Sequence, residues 1–246
     1  MKKIHLIILI LMLIGANSIV FKAKSEDSAD ILQKATETIL EKPVEENKKT
    51  EIIESGKIKF KVKRSNLWVK GKSSNEKKLG EFVEITLPGK LYDPPREIFT
   101  IEKKDVDRST VENTVASVFS ANKAGDLDWI SDNFTDKDKE KIKELFSNKN
   151  ILEESKSDAQ KIVSIYITGQ ADYKDAVLVF IEQDYISGKK IKESLACKKT
   201  EKGWKVTNEF AEDKTFDIIF AALSTGEVLL KGKESPKEKP VMDSKS

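Results

Sequence analysis

Four runs rich in β-branched and aromatic residues, all between residues 161 and 210, dominate the hydrophobic pattern of this chain. Short polar turns separate these runs at 169–175, 187–190 and 200–203. Residues of these types favour strands, and connections this short join antiparallel neighbours. The pattern therefore predicts a four-strand antiparallel meander.

Three segments with helical spacing precede the meander. Ser109 and Glu112 have the spacing of a capping box, and the helix that follows has an apolar stripe at Val111, Val115, Val118 and Phe119. Gly125 supplies the stop of this helix, Asp126 caps a second, short helix, and Thr135 caps a third. Helices followed by a meander predict an α+β fold, in which a curved antiparallel sheet closes over the helices.

A small β unit is expected between residues 57 and 105. Its first strand alternates strictly, with one side formed by Ile58, Phe60 and Val62 and the other by Lys57, Lys59, Lys61 and Lys63. Further short strands are predicted at 66–70, 81–87 and 97–102, because glycines and prolines punctuate this stretch. The unit is either a separate subdomain or a β extension of the domain that follows.

The lysine row has two interpretations. It could bind an anionic polymer, with Trp68 and Tyr92 adding stacking contacts. Alternatively, it is a solvated strand face whose lysines protect a sheet edge from mispairing. Glu81, Glu84 and Glu97 lie close by in the sequence and dilute the positive field, which favours the second interpretation. We therefore expect no nucleic acid partner.

The N-terminal segment has the pattern of an export signal. Lys2 and Lys3, an apolar run and then small residues are the parts of a secretory signal peptide, with cleavage after Ser18 or Ser25. The alternative is an uncleaved membrane anchor, although the apolar run is short for a bilayer span. We expect export to the periplasm or the medium and no transmembrane span in the mature chain.

A closing helix is predicted after the meander from the spacing of Phe216, Ile219, Phe220 and Leu223, and Val228 begins a short strand. The resulting division is a signal peptide at 1–25, a helix and linker at 26–56, the β unit at 57–105, a helix-then-meander domain at 106–230 and a disordered tail at 231–246.

The rarest residue types exclude several chemistries. Cys197 is the only cysteine, which excludes a disulfide within one chain, and the only histidine, His5, lies in the predicted leader. A mature chain without histidine cannot use Ser-His or Cys-His catalysis, nor form a usual zinc site. An acidic run resembles the start of a calcium loop, but Lys141 and Ser147 stand where glycine and glutamate are needed. We expect no metal and no cofactor.

A family resemblance rests on two short motifs, formed by Gly125, Asp126, Gly203, Trp204, Lys205 and Val206. A long helix ending in Gly-Asp, followed by a meander whose last strand reads Gly-Trp-Lys-Val, resembles the nuclear-transport-factor-2-like superfamily, and within it secreted bacterial domains of unknown function. The resemblance covers about residues 107–210 and implies a cone-shaped cavity. That superfamily includes isomerase-like enzymes, ligand binders and noncatalytic association modules.

The predicted cavity depends on which strand residues share a face. Alternation places Glu193 and Asn208 on the apolar inner faces of the last two strands, with Cys197 as a small core residue. The predicted ligand-cavity residues are Glu193, Asn208, Tyr166, Phe180, Trp204 and Trp129. A buried Glu193 would have a raised pKa and could act as an acid or base, whereas a bulge or register slip would turn it to solvent.

Three functions follow from these patterns. The first is an exported, noncatalytic binding or assembly module of the bacterial cell envelope, acting as a homodimer through the open sheet face or with an envelope protein. The second is a small-ligand binder or weak acid–base enzyme that uses Glu193, Asn208 and Tyr166. The third is an anionic-polymer binder that uses Lys57, Lys59, Lys61 and Lys63.

Overall fold

The computed structural model describes residues 52–67 and 80–230. Its helices and strands, in chain order, are β1 (Ile52–Lys63), β2 (Phe82–Ile98), α1 (Val111–Ala124), α2 (Leu127–Asp132), α3 (Asp136–Phe146), α4 (Lys149–Gln160), β3 (Ile162–Tyr173), β4 (Ala176–Tyr185), β5 (Lys190–Thr200), β6 (Gly203–Val206), α5 (Lys214–Thr225) and β7 (Glu227–Leu230). The predicted signal peptide, most of the helix-and-linker segment, Trp68 and the predicted tail lie outside the described residues.

The fold is α+β, with one seven-stranded antiparallel sheet and five α-helices in the described part of the chain. The strand order is β6-β5-β4-β3-β2-β1-β7. The predicted meander is present as β3 to β6, and the predicted closing helix and short last strand are α5 and β7. None of the helices in 52–67 and 80–230 combines the length and apolar character needed to cross a bilayer.

The β unit belongs to the same sheet as the meander. Strand β2 pairs with β1 on one side and with β3 on the other, from Gly89 opposite Ala171 to Ile98 opposite Ile165. The strands of 57–105 therefore extend the sheet of the following domain and do not form a separate subdomain. Strand β1 also begins at Ile52, inside the segment expected to be a linker.

Strand β2 is longer than the sequence predicted. The strand expected at 81–87 and the first two residues of the strand expected at 97–102 belong to one strand, which continues through its prolines and ends at Ile98; residues 99–102 are not in a strand. Pro94 and Pro95 fall between Leu91 and Arg96, where the register with β3 shifts. A proline at such an irregularity removes no regular ladder hydrogen bond, so the strand continues past it.

The first helix begins one residue later than the predicted capping box requires. Thr110 is the N-cap, and its hydroxyl oxygen accepts a hydrogen bond from the backbone N–H of Asn113 at 3.1 Å. The Ser109–Glu112 capping box is therefore wrong. Glu112 is now the second helical residue and accepts a hydrogen bond from the Arg96 guanidinium at 3.1 Å instead.

The junction of α1 and α2 follows the prediction, whereas α4 was not predicted. Gly125 ends α1 with a left-handed φ of 67°, and the Asp126 carboxylate caps α2 by accepting from the Trp129 backbone N–H at 2.9 Å. Helix α4 has no strong apolar stripe in its sequence, because the residues it buries fully are Ser155, Asp158 and Ala159.

Two hydrophobic cores lie on opposite faces of the sheet. The helix-layer core lies between one face of the sheet and the four helices α1, α2, α3 and α4. It includes Val115, Phe119, Trp129, Ile142, Phe146, Ile165, Ile167, Val179, Ile181, Leu195, Cys197 and Val206. The α5 core joins α5 to the other face and includes Ile58, Phe60, Ala171, Leu178, Phe180, Ala196, Phe210 and Ile219. Each strand therefore contributes alternate residues to two different cores.

The sheet curves around the C-terminal end of α5. The Ser224 hydroxyl donates to the Lys192 carbonyl of β5, and a Cβ on Gly226 would lie 2.3 Å from the Lys61 carbonyl of β1. Strands β1 and β5 are four positions apart in the sheet, which is about 19 Å if the sheet were flat. Both strands reach the same helical turn only because the sheet is bent toward it.

Candidate ligand site

A cavity of about 410 Å³ lies on the α5 side of the sheet, between the C-terminal end of α5 and the curved strands. We call it the sheet–α5 pocket. Residues from β2, β3, β4, β5, α5 and β7 line it, namely Leu91, Tyr92, Asp93, Thr168, Phe180, Lys192, Ala222, Leu223, Gly226 and Val228. Its size falls within the range of small-molecule sites in proteins.

The apolar floor of the pocket depends on a glycine in β3. Gly169 pairs with Leu91 on β2 and with Phe180 on β4. A Cβ at Gly169 would lie 2.7 Å from the Leu91 side chain and 3.1 Å from the Phe180 ring. Both side chains therefore lie across the glycine, and the Phe180 ring is also held edge-on against Phe60, with ring centroids 5.5 Å apart.

The wall formed by α5 is fixed at its first turn. The Asp213 carboxylate accepts hydrogen bonds from the backbone N–H of Thr215 at 2.8 Å, the Tyr173 hydroxyl at 2.8 Å and the Lys174 ammonium at 2.6 Å. Burial alone would raise the pKa of Asp213, but these three donors lower it to about 2. Asp213 thus caps α5 and ties it to the turn between β3 and β4.

The pocket carries one charge of each sign among the described residues that line it, Lys192 and Asp93. The Lys192 ammonium is half-exposed and lies 3.6 Å from the Glu182 carboxylate, whereas Lys190 bonds the same carboxylate at 2.9 Å. The hydrogen bond from Lys190 is the main reason why the pKa of Glu182 is lowered. Within the described chain, no cation lies within ion-pair distance of Asp93. Both pocket charges can therefore interact with a ligand.

Of the two predicted positions for Glu193, buried or turned to solvent, the structure has the buried one. Glu193 does not, however, face the sheet–α5 pocket. It lies on the same face of β5 as Leu195 and Cys197, toward the helix layer, and is only 2% exposed. The Gln183 amide donates to its carboxyl group, and the Tyr185 hydroxyl donates to the Gln183 oxygen at 3.0 Å. Burial raises the pKa of Glu193 well above its ordinary value.

The other predicted cavity residues are divided between the two faces. Trp129 is buried in the helix-layer core, where its indole N–H donates to Ser117, and Trp204 packs at the border of that core. Tyr166 and Phe180 lie on the opposite face, because their neighbours Ile165, Ile167, Val179 and Ile181 point toward the helix layer. The expected cavity formed by all six residues is therefore not assembled.

Asn208 was misplaced because β6 is shorter than predicted. The strand ends at Val206, so the alternation that grouped Asn208 and Phe210 with Val206 no longer applies. Val206 belongs to the helix-layer core, whereas Phe210 belongs to the α5 core. The backbone N–H of Asn208 instead donates to the buried Asp138 carboxylate at 3.0 Å.

The lysine row has the predicted alternation, but its charges are largely compensated. Ile58, Phe60 and Val62 are buried, and the lysines lie on the other face. Ammonium groups pair with carboxylates at Lys59–Glu84 (2.7 Å), Lys61–Glu227 (3.7 Å) and Lys63–Glu81 (3.5 Å). Lys57 has no such pair with a described residue. This compensation weakens the field that an anionic polymer would require.

Neither a metal site nor an activated thiol is found in the described residues. They contain no group of three or more histidine, cysteine, aspartate or glutamate side chains that could hold a metal ion. Cys197 is fully buried, and burial, with a smaller effect of Glu112, raises the pKa of its thiol to about 12. A thiol in this state is a core group rather than a nucleophile.

Comparison of the chain with models of known families, with curated proteins and with solved structures gave no match. The assignment of function therefore depends on the geometry of the site alone. Sequence reasoning named one residue of the pocket as a cavity residue, Phe180, and missed the charged pair Lys192 and Asp93. No local motif marks these two residues, because the curvature of the sheet brings them to one cavity.

Proposed function

We propose that this chain is an exported, noncatalytic binding protein that holds a small ligand in the sheet–α5 pocket. The observation that supports the proposal is the cavity of about 410 Å³, whose lining combines polar groups with the apolar side chains of Leu91, Phe180, Ala222, Leu223 and Val228. These side chains favour a ligand that has an apolar part. The alternative acid–base role of Glu193 has less support, because this residue lies on the other face of the sheet.

The pocket can be tested by filling it. Leu223 of α5 is partly buried against the α5 core and lines the pocket, so Leu223→Trp should occupy part of the cavity. We expect the chain to bind the neutral apolar dye Nile red, and this variant to bind it at least about tenfold more weakly, which corresponds to about 1.4 kcal/mol. Phe82→Trp is the matched control, because Phe82 is exposed and does not line the pocket.

Native mass spectrometry of the chain, purified without denaturation, gives a second measure of the same pocket. A retained small molecule should appear as an extra mass in the wild type and in Phe82→Trp, and should be lost in Leu223→Trp. Equal dye binding by both variants, or no binding by the folded wild type, would contradict the proposed function.

The fold resemblance and the export are part of the same proposal. Gly125 and Asp126 at the junction of α1 and α2, and Gly203–Val206 as β6, support a domain similar to the nuclear-transport-factor-2-like cone. An experimental structure in which this part fails to superpose on such domains would contradict the resemblance. Export is tested by expressing the full chain in a bacterium and locating it by fractionation, with N-terminal sequencing to identify a cleavage after Ser18 or Ser25.

Self-association is a second candidate function, and exposed apolar residues favour it. Phe99 is 71% exposed, and Val163 and Ile186 are more than half exposed. All three lie at neighbouring strand ends, because Ile98 pairs with Ile165 and Ile162 pairs with Tyr185. A second copy of the chain is the proposed occupant of this patch. Light scattering should then show a dimer that Phe99→Asp converts to a monomer, whereas a concentrated wild-type monomer would contradict this function.

A further inference from the structure

The charges of the sheet–α5 pocket lie on two different strands, β2 and β5. Asp93 is on β2 and Lys192 is on β5, with β3 and β4 between them. The floor between the two charges carries the apolar side chains of Leu91 and Phe180. A ligand that fills this pocket therefore meets a carboxylate, an apolar surface and an ammonium group.

The separation of the two charges sets the length of a ligand that could contact both. Three strand intervals of about 4.8 Å place β2 and β5 at most about 14 Å apart. The curvature of the sheet makes the direct distance between these two strands shorter than this limit. An extended chain of two or three residues, at about 3.5 Å per residue, is of the right length.

The surroundings of Asp93 and Lys192 argue against a ligand that carries only negative or only positive charge. An anionic ligand would meet Lys192 but also the Asp93 carboxylate and the C-terminal end of α5, which carries partial negative charge. A cationic ligand would meet Asp93 but also Lys192. A molecule with an ammonium group at one end and a carboxylate at the other places each charge beside its opposite.

We propose that the ligand of the sheet–α5 pocket is a zwitterion with an apolar body, of the class of short apolar peptides. This inference rests on the proposed function, since it names the ligand class of the same pocket. The ammonium group contacts Asp93, the carboxylate contacts Lys192, and the apolar side chains lie on Leu91 and Phe180. Lys192 can exchange Glu182 for the ligand carboxylate because Lys190 remains bonded to Glu182.

The experiment uses as probes four forms of one apolar dipeptide that differ only in their terminal charges. They are leucyl-leucine, its N-acetyl form, its C-terminal amide and the form blocked at both ends. Binding to the full chain is measured by calorimetry at low ionic strength. We expect leucyl-leucine to bind about three- to fivefold more tightly than either singly blocked form, because exposed charge pairs contribute modestly. The preference should decrease as salt is added.

Two pairs of variants, each with a matched control, test which charged group of the ligand contacts Lys192 and which contacts Asp93. Lys192→Gln should remove the preference for a free carboxylate, whereas Lys189→Gln should leave it, because Lys189 is exposed before β5, forms no ion pair with Glu182 and does not line the pocket. Asp93→Asn should remove the preference for a free ammonium group, whereas Glu97→Gln, an exposed site on the same strand, should leave it. Each variant keeps the size of the side chain close to that of the wild type.

The outcomes separate this inference from the proposed function. Equal affinity for all four probes would overturn the inference and leave the pocket as an apolar binding site. Binding of Nile red without binding of any of the four probes would also overturn it. Failure of the folded chain to bind either Nile red or the probes would overturn the proposed function itself.

Discussion

Glu193→Gln should make the protein more stable at neutral pH, because it replaces a buried carboxyl group that the native state keeps protonated. In the wild type the Glu193 side chain is buried between β5 and the helix layer, and the Gln183 amide donates to it. Burial raises the pKa of Glu193, and no neighbouring cation offsets this effect. The native state therefore holds Glu193 protonated at pH values where the unfolded chain releases the proton.

The sign and size of the effect follow from proton linkage. The contribution of protonated Glu193 is fully present below the unfolded pKa of 4.5 and is lost as the pH rises from there through the native pKa. Within that window each pH unit lowers the free energy of unfolding by up to about 1.4 kcal/mol. Glu193→Gln has no such dependence. The two proteins should be similar near pH 4, and the variant should be more stable by roughly 1–3 kcal/mol at pH 7.

Urea unfolding followed by tryptophan fluorescence between pH 4 and pH 8 measures this difference directly. Glu182→Gln on the neighbouring strand is a control of opposite sign, because the Lys190 hydrogen bond lowers the pKa of Glu182. The stability that Glu182 contributes is present above its unfolded pKa and is lost on acidification, so this variant should be less stable than wild type at pH 7. A constant difference between wild type and Glu193→Gln at every pH would refute the assignment of a protonated Glu193.

Two further substitutions and one thiol-labelling experiment test the packing of the sheet and the cap of α5. Gly169→Ala should lower the free energy of unfolding by about 2 kcal/mol, because the added methyl overlaps Leu91; an unchanged urea midpoint would contradict this. Cys197 should react with Ellman's reagent only as fast as the chain unfolds, since its thiol is buried with a pKa of about 12. Asp213→Ala should cost about 1–2 kcal/mol through loss of the α5 cap. Because the pKa of Asp213 is about 2, wild type should lose this advantage between about pH 4 and pH 2 in acid unfolding.

The sequence predicted the elements well where one local signal decides each of them. Alternation in β1 identified Ile58, Phe60 and Val62 as buried, and the cap at Asp126 identified the start of α2. Prediction from local sequence patterns failed where tertiary contacts determine the local structure. Helix α4 buries polar residues, and Pro94 and Pro95 of β2 are accommodated at a register shift that no local rule locates.

The candidate site was harder to predict than the fold because it depends on which face of the sheet each residue occupies. Alternation correctly placed Glu193 with Leu195 and Cys197 on one face of β5, but a helix layer on each side makes both faces of a central strand apolar. Hydrophobicity then cannot say which face borders a cavity. That choice depends on the bend that brings β1 and β5 to the end of α5, and the bend opens the pocket on the face of Lys192 rather than that of Glu193. A site built from a bend has no signature in any single strand, so its residues become visible only when the sheet is assembled.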